Sequence, residues 1–277
     1  MQAYVINLAP AEDRWEQVRA RLDAVGMRYT RIDAVNGRAL NLPLVDFDEA
    51  GHRRRTGRRP IKPEIGCYLS HLRAILEFLD TRDEYGLILE DDALLGPEAI
   101  EAIDDALAYR DQWDILRLSS VNRDRYWPAI KLSGGRHLGV SLTRSKGASA
   151  YVINRRAAKT WVRELLPMRL AWDIAFDLEF FQGLKAMGVT PLPVRQDARF
   201  ETHIQKEINT HKLPRTRYFT VFPFRTVYET KRFLSRGLQL LRLRLWPPQA
   251  LPVSDDLRPI SRPESRPADE APVRSAA

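Results

Sequence analysis

Residues 3–8 alternate as a strand, and residues 11–25 follow with Trp15, Val18, Leu22 and Val25 at helical spacing before a stop at Gly26. Residues 28–33 read as a second strand, so the chain opens strand–helix–strand, the unit of a parallel α/β sheet. Residues 36–62 carry no period, are rich in Arg and Gly, and make a long loop of the kind that often serves function. A helix over 63–80 starts with Pro63 in its first turn and sets Ile65, Leu69, Leu72, Leu76 and Leu79 on one stripe. Glu64, Cys67 and His71 share another stripe at spacings of three and four. Leu87-Ile88-Leu89, bounded by Gly86, is a short apolar run of the buried-strand type. A helix over 97–108, a strand over 113–118, a loop-rich stretch over 121–146 and a strand over 148–153 follow. Asn154 caps a helix over 155–166 that Pro167 ends. The pattern then predicts a helix over 172–187 with Gly188 as its stop, and a short strand over 189–194.

Chemistry enters at Glu90-Asp91-Asp92, three carboxylates directly after the apolar run. In open α/β sheets ligands gather at the carboxyl ends of strands, which is where these acids fall. Adjacent negative charges repel, and a hard divalent cation bound through oxygen is a natural counter-charge that would in turn hold a diphosphate. The plain alternative is a solvated acidic turn ahead of the helix near Pro97. Gly66, in the first turn of a helix, lowers helix stability by about 1 kcal/mol relative to Ala. Its presence points to close approach of another backbone or a ligand. Cys67 reads as a small buried hydrophobe.

The motifs form an ordered set. The chain carries Tyr4-Val5-Ile6-Asn7-Leu8, Glu12-Asp13-Arg14 and Asp33-Ala34-Val35-Asn36-Gly37, then Lys62-Pro63-Glu64-Ile65-Gly66-Cys67-Tyr68-Leu69-Ser70-His71. Leu89-Glu90-Asp91-Asp92 comes next, and Gly147-Ala148-Ser149-Ala150-Tyr151-Val152-Ile153 precedes Ala157-Ala158. Together these resemble glycosyltransferase family 25, which holds lipooligosaccharide and lipopolysaccharide sugar transferases and collagen galactosyltransferases. The resemblance spans roughly residues 2–205. It implies a GT-A-like, Rossmann-like α/β fold with a mainly parallel central sheet, a nucleotide-sugar donor, a divalent metal (Mn2+ or Mg2+) and an inverting mechanism. On this pattern Asp92 is the strongest metal ligand, Asp91 a weaker one and Glu90 a donor contact. His203, in Glu201-Thr202-His203, is either the late metal histidine of such enzymes or a surface residue.

Asn7 and Arg14 are placed to meet the nucleotide, although Arg14 could equally pair with neighbouring acids on a helix surface. Asp33 is either a ribose contact or a turn acid before Asn36-Gly37. Glu64 and His71 are expected behind the acids or against phosphate. Asp173 is a catalytic base or a helix cap, and Trp172 a sugar platform or a core residue. The reaction expected is transfer of a sugar, galactose first, to a lipopolysaccharide or lipid-linked saccharide.

Composition refines the picture. The chain has 277 residues, net charge +8 and one cysteine, which excludes an internal disulfide framework and fits a reducing compartment. Residues 1–8 read as a strand rather than a signal peptide, and no apolar run approaches a membrane span. The expectation is a cytoplasmic protein, peripheral at the inner face of the membrane. Basic charge concentrates in 52–62, with six Lys/Arg and no acid, and in 225–246, with six Lys/Arg and one Glu. Such patches favour anionic lipid, phosphorylated glycolipid or nucleic acid. Nucleic acid is disfavoured, because aromatics are not interleaved with the cations. Within 224–246, Val227, Leu234, Leu238, Leu241 and Leu245 form one face and Arg225, Glu229, Arg232 and Arg236 another. This suits an interfacial amphipathic helix, or one packed on the domain with arginines outward. Residues 247–277, with seven prolines, are expected to be disordered. The expected organisation is a catalytic domain over 1–205, a basic extension over 206–246 and this tail.

Overall fold

A computed structural model describes residues 1–121, 125–197 and 211–259. The opening unit is β1 (Gln2–Asn7), α1 (Glu12–Ala24) and β2 (Tyr29–Asp33), with β1 parallel to β2 and to β3 (Tyr85–Glu90). Helix α3 (Lys62–Leu79) makes the crossover between β2 and β3. The remaining sheet strands are β5 (Ile115–Arg117), β6 (Tyr126–Lys131), β7 (His137–Ser141), β8 (Ala150–Asn154) and β9 (Ala186–Thr190). They complete an eight-stranded sheet of order β2-β1-β3-β8-β5-β9-β7-β6. The pairings make β7 and β8 run against the other six, so the sheet is mixed but mainly parallel in direction. A two-residue strand β4 (Ala93–Leu94) just past the acids pairs antiparallel with β10 (Arg195–Gln196).

Both sheet faces are covered, which is why β3 reads as a continuous apolar run rather than an alternating one. Leu87 and Leu89 pack in one core with Val18 and Leu22 of α1 and Ile100 and Ile103 of α4 (Pro97–Leu107). Ile88 faces the other core, with Ile65 and Ile75 of α3 and Ala157 and Trp161 of α5 (Arg155–Glu164). Asn154 caps α5 through its side chain, which accepts from the Ala157 amide at 2.8 Å.

Several segments differ from the sequence expectation. The 36–62 stretch contains helix α2 (Glu49–Thr56), capped by Asp48 and ended by Gly57 in the left-handed region. The 121–146 stretch holds the β6–β7 hairpin, turned by Gly134 and Gly135, both with positive φ. The helix expected over 172–187 is only the short α6 (Trp172–Phe176) and a 3-10 turn over 179–182, closed by Gly183 at φ +69°. Gly188 lies inside β9, where a side chain would strike the Tyr126 ring. Residues 247–259 are ordered: the Leu251 amide bonds the Ala108 carbonyl at 2.7 Å, and Val253 and Leu257 pack on the core. Residues 260–277 lie outside the described residues.

Helix α7 (Tyr218–Leu245) is the largest departure. Arg232 and Arg236, expected on its outer face, are 1% and 3% exposed. The Asp177 carboxylate takes Arg232 and Arg236 at 2.9 Å each and Arg117 at 3.0 Å, and Glu179 takes Arg236 at 2.7 Å. Burial alone would lower the Arg236 pKa; Asp177 and Glu179 outweigh it and hold the guanidinium above its usual range. The other cationic patch is also partly absorbed. Arg58 is buried as the bidentate partner of Glu64, and Arg53 pairs with Glu49 at 2.5 Å.

Candidate active site

The carboxyl ends of β1 and β3 lie side by side, with Ile6 opposite Glu90. That register delivers Asn7 next to the acids. The Asn7 amide donates to Asp91 Oδ2 at 2.8 Å, and Arg14, a turn into α1, bonds Asp91 Oδ1 at 2.7 Å. Arg31 in turn donates to Asn7 Oδ1 at 2.7 Å and is neutralised by Glu12. Both oxygens of Asp91, a buried residue, are therefore engaged within the protein. Asn7 and Arg14, expected against the nucleotide, here orient and neutralise Asp91.

Among the described residues no side chain bonds Asp92 in this way. Its Oδ1 is buried without a hydrogen bond, while its carbonyl accepts from the Asp197 amide at 2.9 Å. Burial, then the charges of Glu90 and Asp91, push its carboxyl up to about 7, against an opposing pull from Arg14. A half-buried carboxylate with one buried, unpaired oxygen, next in sequence to two more acids, fits a hard, oxygen-seeking cation.

Glu90 leads to a second group. Its Oε1 lies 3.1 Å from His71 Nε2, and His71 Nδ1 lies 3.1 Å from the Tyr151 hydroxyl on β8. The His71 ring stacks on Trp172 with centroids 4.8 Å apart and planes 5° from parallel. Cys67, His71 and Glu90 offer ligand atoms within 4.8 Å of one another. Burial, then the negative charges of Glu90, Asp173, Glu64 and Asp92, raise the Cys67 thiol well above its usual range. A protonated thiol is a poor ligand for a hard cation, so the oxygen donors of this crevice are the better match.

The same electrostatic contacts place Asp173 in the neighbourhood of the acids. It sits in the first turn of α6, where a carboxylate also complements the helix dipole, so the base and the cap readings both remain open to it. Trp172 is buried against His71 and Tyr68 and cannot serve as an open sugar platform. Asp33 is exposed at the end of β2, in register with Asn7. Glu64 is consumed by Arg58 rather than turned to a ligand. Gly66 answers the sequence expectation of close approach: a Cβ there would lie 2.6 Å from the Gly37 amide nitrogen and the Val35 carbonyl. Ser70 completes the join, accepting from the Val35 amide at 2.8 Å. His203 lies outside the described residues. Tyr151, Arg31 and Asp197 were not foreseen; Tyr151 alone carried a signal, as the polar-tipped residue of an otherwise small and apolar strand.

The fold and site thus define an α/β protein with a run of three carboxylates, Glu90, Asp91 and Asp92, at the ends of neighbouring parallel strands. A family model described as glycosyltransferase family 25 (LPS biosynthesis protein) matches residues 1–176, and the chain belongs to that family. It is 22% identical over 222 residues to lacto-N-neotetraose biosynthesis glycosyltransferase LgtE of Neisseria meningitidis serogroup B, covering 74% of this chain and 78% of that one. It is 26% identical over 171 residues to procollagen galactosyltransferase 1-A of Xenopus laevis, covering 57% of this chain and 27% of that protein. A probable inactive glycosyltransferase 25 family member 3 of Bos taurus is 26% identical over 190 residues, covering 64% of this chain and 32% of its own. The chain therefore spans about a quarter of the length of the first of these animal relatives.

Proposed function

We propose that this protein transfers a sugar, galactose first, from a nucleoside-diphosphate donor to a lipopolysaccharide or lipid-linked saccharide acceptor, with inversion. Family membership supports the reaction class, and the similarity to the lacto-N-neotetraose biosynthesis glycosyltransferase LgtE supports a saccharide acceptor. The observation that carries the reading is Asp92, a half-buried carboxylate whose buried Oδ1 makes no hydrogen bond, at the carboxyl end of β3. Asp92 would hold a divalent cation, Mn2+ or Mg2+, with Glu90 at its side. When bound, the cation supplies positive charge against the diphosphate that leaves. Asp91, held by Asn7 and Arg14, adds negative potential but keeps no free oxygen of its own. Asp33 is offered to the ribose.

Asp173 takes the proton from the acceptor hydroxyl as that oxygen bonds the anomeric carbon. The bond from that carbon to the diphosphate breaks on the opposite face, and the electron pair leaves with the diphosphate. His71, between Glu90 and Tyr151 and stacked on Trp172, fixes the acid and the α6 turn relative to each other.

Calorimetric titration with a panel of nucleotide sugars, with and without Mn2+, tests the reading. Metal-dependent binding of one donor and turnover with a saccharide acceptor are expected. Donor binding without turnover would assign the chain to the inactive branch of the family, and absence of donor binding under every condition would refute the proposal.

A further inference from the structure

Helix α7 turns its apolar side to solvent. It docks on the domain through Val221, Arg232, Arg236, Leu240 and Leu243. Leu234, Leu238, Leu241 and Leu245 recur at spacings of four, three and four, a straight stripe on the opposite side. Their exposures run from 52% at Leu241 to 69% at Leu238, and Phe233 at 60% and Trp246 at 70% border them. A contiguous apolar surface of this kind marks an interaction site rather than ordinary surface.

The charges around the stripe identify its occupant. Lys231, Arg242 and Arg244 are exposed, and helical geometry sets the first two on one flank and the third on the other. Residues 230–246 contain no acidic residue. Arg232 and Arg236, the other arginines within residues 230–246, are turned inward onto Asp177 and Glu179. The result is an apolar stripe edged by cations, with a tryptophan at its end, matching acyl chains flanked by anionic headgroups. A second copy of this chain fits worse, because a two-fold contact would bring Lys231, Arg242 and Arg244 of both copies together without an acid between them.

We infer that this face of α7 lies in the interface of an anionic lipid bilayer, with the helix in the membrane plane. The buried arginine–carboxylate network then acts as the mount. It fixes the catalytic body to the membrane-bound helix in one orientation, where a flexible tail would leave it free to tumble. The inference rests on the surface of α7 and not on the transfer reaction, so vesicle binding and donor binding can fail independently.

Co-sedimentation of the full chain with unilamellar vesicles tests it. Vesicles of phosphatidylcholine alone are compared with vesicles containing roughly one-third phosphatidylglycerol, at low and high salt. Binding to the anionic vesicles is expected, at least tenfold weaker without phosphatidylglycerol and weakened by salt. The double variant Leu238→Glu/Leu241→Glu removes no core contact; it should melt as the wild type does and lose more than tenfold in binding. Arg242→Gln/Arg244→Gln should weaken binding about thirtyfold, from about 1 kcal/mol for each cation. The inference is overturned if the wild type ignores anionic vesicles or if the Leu→Glu variant binds them equally. It is also overturned if sedimentation without lipid shows a dimer that the Leu→Glu variant dissolves, since a second copy would then cover the face.

Discussion

Replacing Asp92 by Asn should make the protein more stable while removing its proposed metal site. Burial and the neighbouring charges of Glu90 and Asp91 hold the Asp92 carboxyl at about 7 in the folded protein. The ordinary value near 3.8 applies when the chain unfolds. A folded pKa above the unfolded one means the contribution is full below about pH 4 and lost as pH rises through about 7. The shift of roughly three pH units, at 1.36 kcal/mol each, gives a folded-state penalty of about 4 kcal/mol at pH 8. Linkage makes that penalty about 2 kcal/mol at pH 5 and about 0.5 kcal/mol at pH 4. Asn carries no charge at any of these values, so Asp92→Asn should recover the difference. The assay is urea unfolding of both proteins in chelator at pH 5 and pH 8. The gain should be larger at pH 8 by about 2 kcal/mol, with a melting shift of roughly 10 °C at that pH. Added Mn2+ should raise wild-type stability and leave the variant unchanged. An equal gain at both pH values, or a variant less stable at pH 8, would refute the account of Asp92 as a strained, uncompensated charge.

Four further outcomes are expected. Asp173→Asn should lower turnover by about 10²–10⁴-fold with donor affinity unchanged in calorimetry, and unchanged turnover would remove Asp173 from the reaction. His52 is fully buried with neither ring nitrogen bonded, and burial followed by Arg58 and Arg53 lowers its pKa to about 4. The unfolded chain takes this proton below about pH 6.5 and the folded one refuses it, so stability should fall by about 3 kcal/mol from pH 6.5 to 4; His52→Leu should flatten that limb in urea titrations. Arg58→Ala strands the Glu64 carboxylate in the core and should destabilise by about 3–5 kcal/mol, with much of it recovered in Arg58→Met/Glu64→Met. Gly66→Ala puts a methyl into the Gly37 backbone and should lower stability by about 1–3 kcal/mol or more, read by the same unfolding curves.

The first half of the fold was legible because its signals are local. Runs at 3–8, 11–25, 28–33, 63–80 and 86–89 each announce their period, and each lies within one or two residues of an observed element. The β6–β7 hairpin was hidden although Gly134-Gly135 is a strong turn signal. Pro128 argues against a strand, and it is tolerated because β6 is the outermost strand and its pairing shifts register between Pro128 and Ile130. The acids at 90–92 were visible as a cluster, but their division of labour was not. Which carboxylate keeps a free oxygen depends on Asn7 and Arg14, more than seventy residues away. The period of α7 was equally plain, yet a helical wheel cannot say which side docks. Asp177 and Glu179, far back in the chain, decide that for Arg232 and Arg236.

Gly66 of α3 meets the 35–37 loop backbone to backbone, and Gly37 in that loop meets the first turn of α3 at Lys62 and Pro63. A Cβ on Gly37 would lie 2.2 Å from the Lys62 carbonyl oxygen, closer still than the 2.6 Å met by one on Gly66. The two positions are therefore not independent in descent. A side chain at either one presses on the same seam between the 35–37 loop and the first turn of α3, so reshaping that loop relieves both. Any natural variant that departs from glycine at either position should carry a 35–37 loop of different length or path.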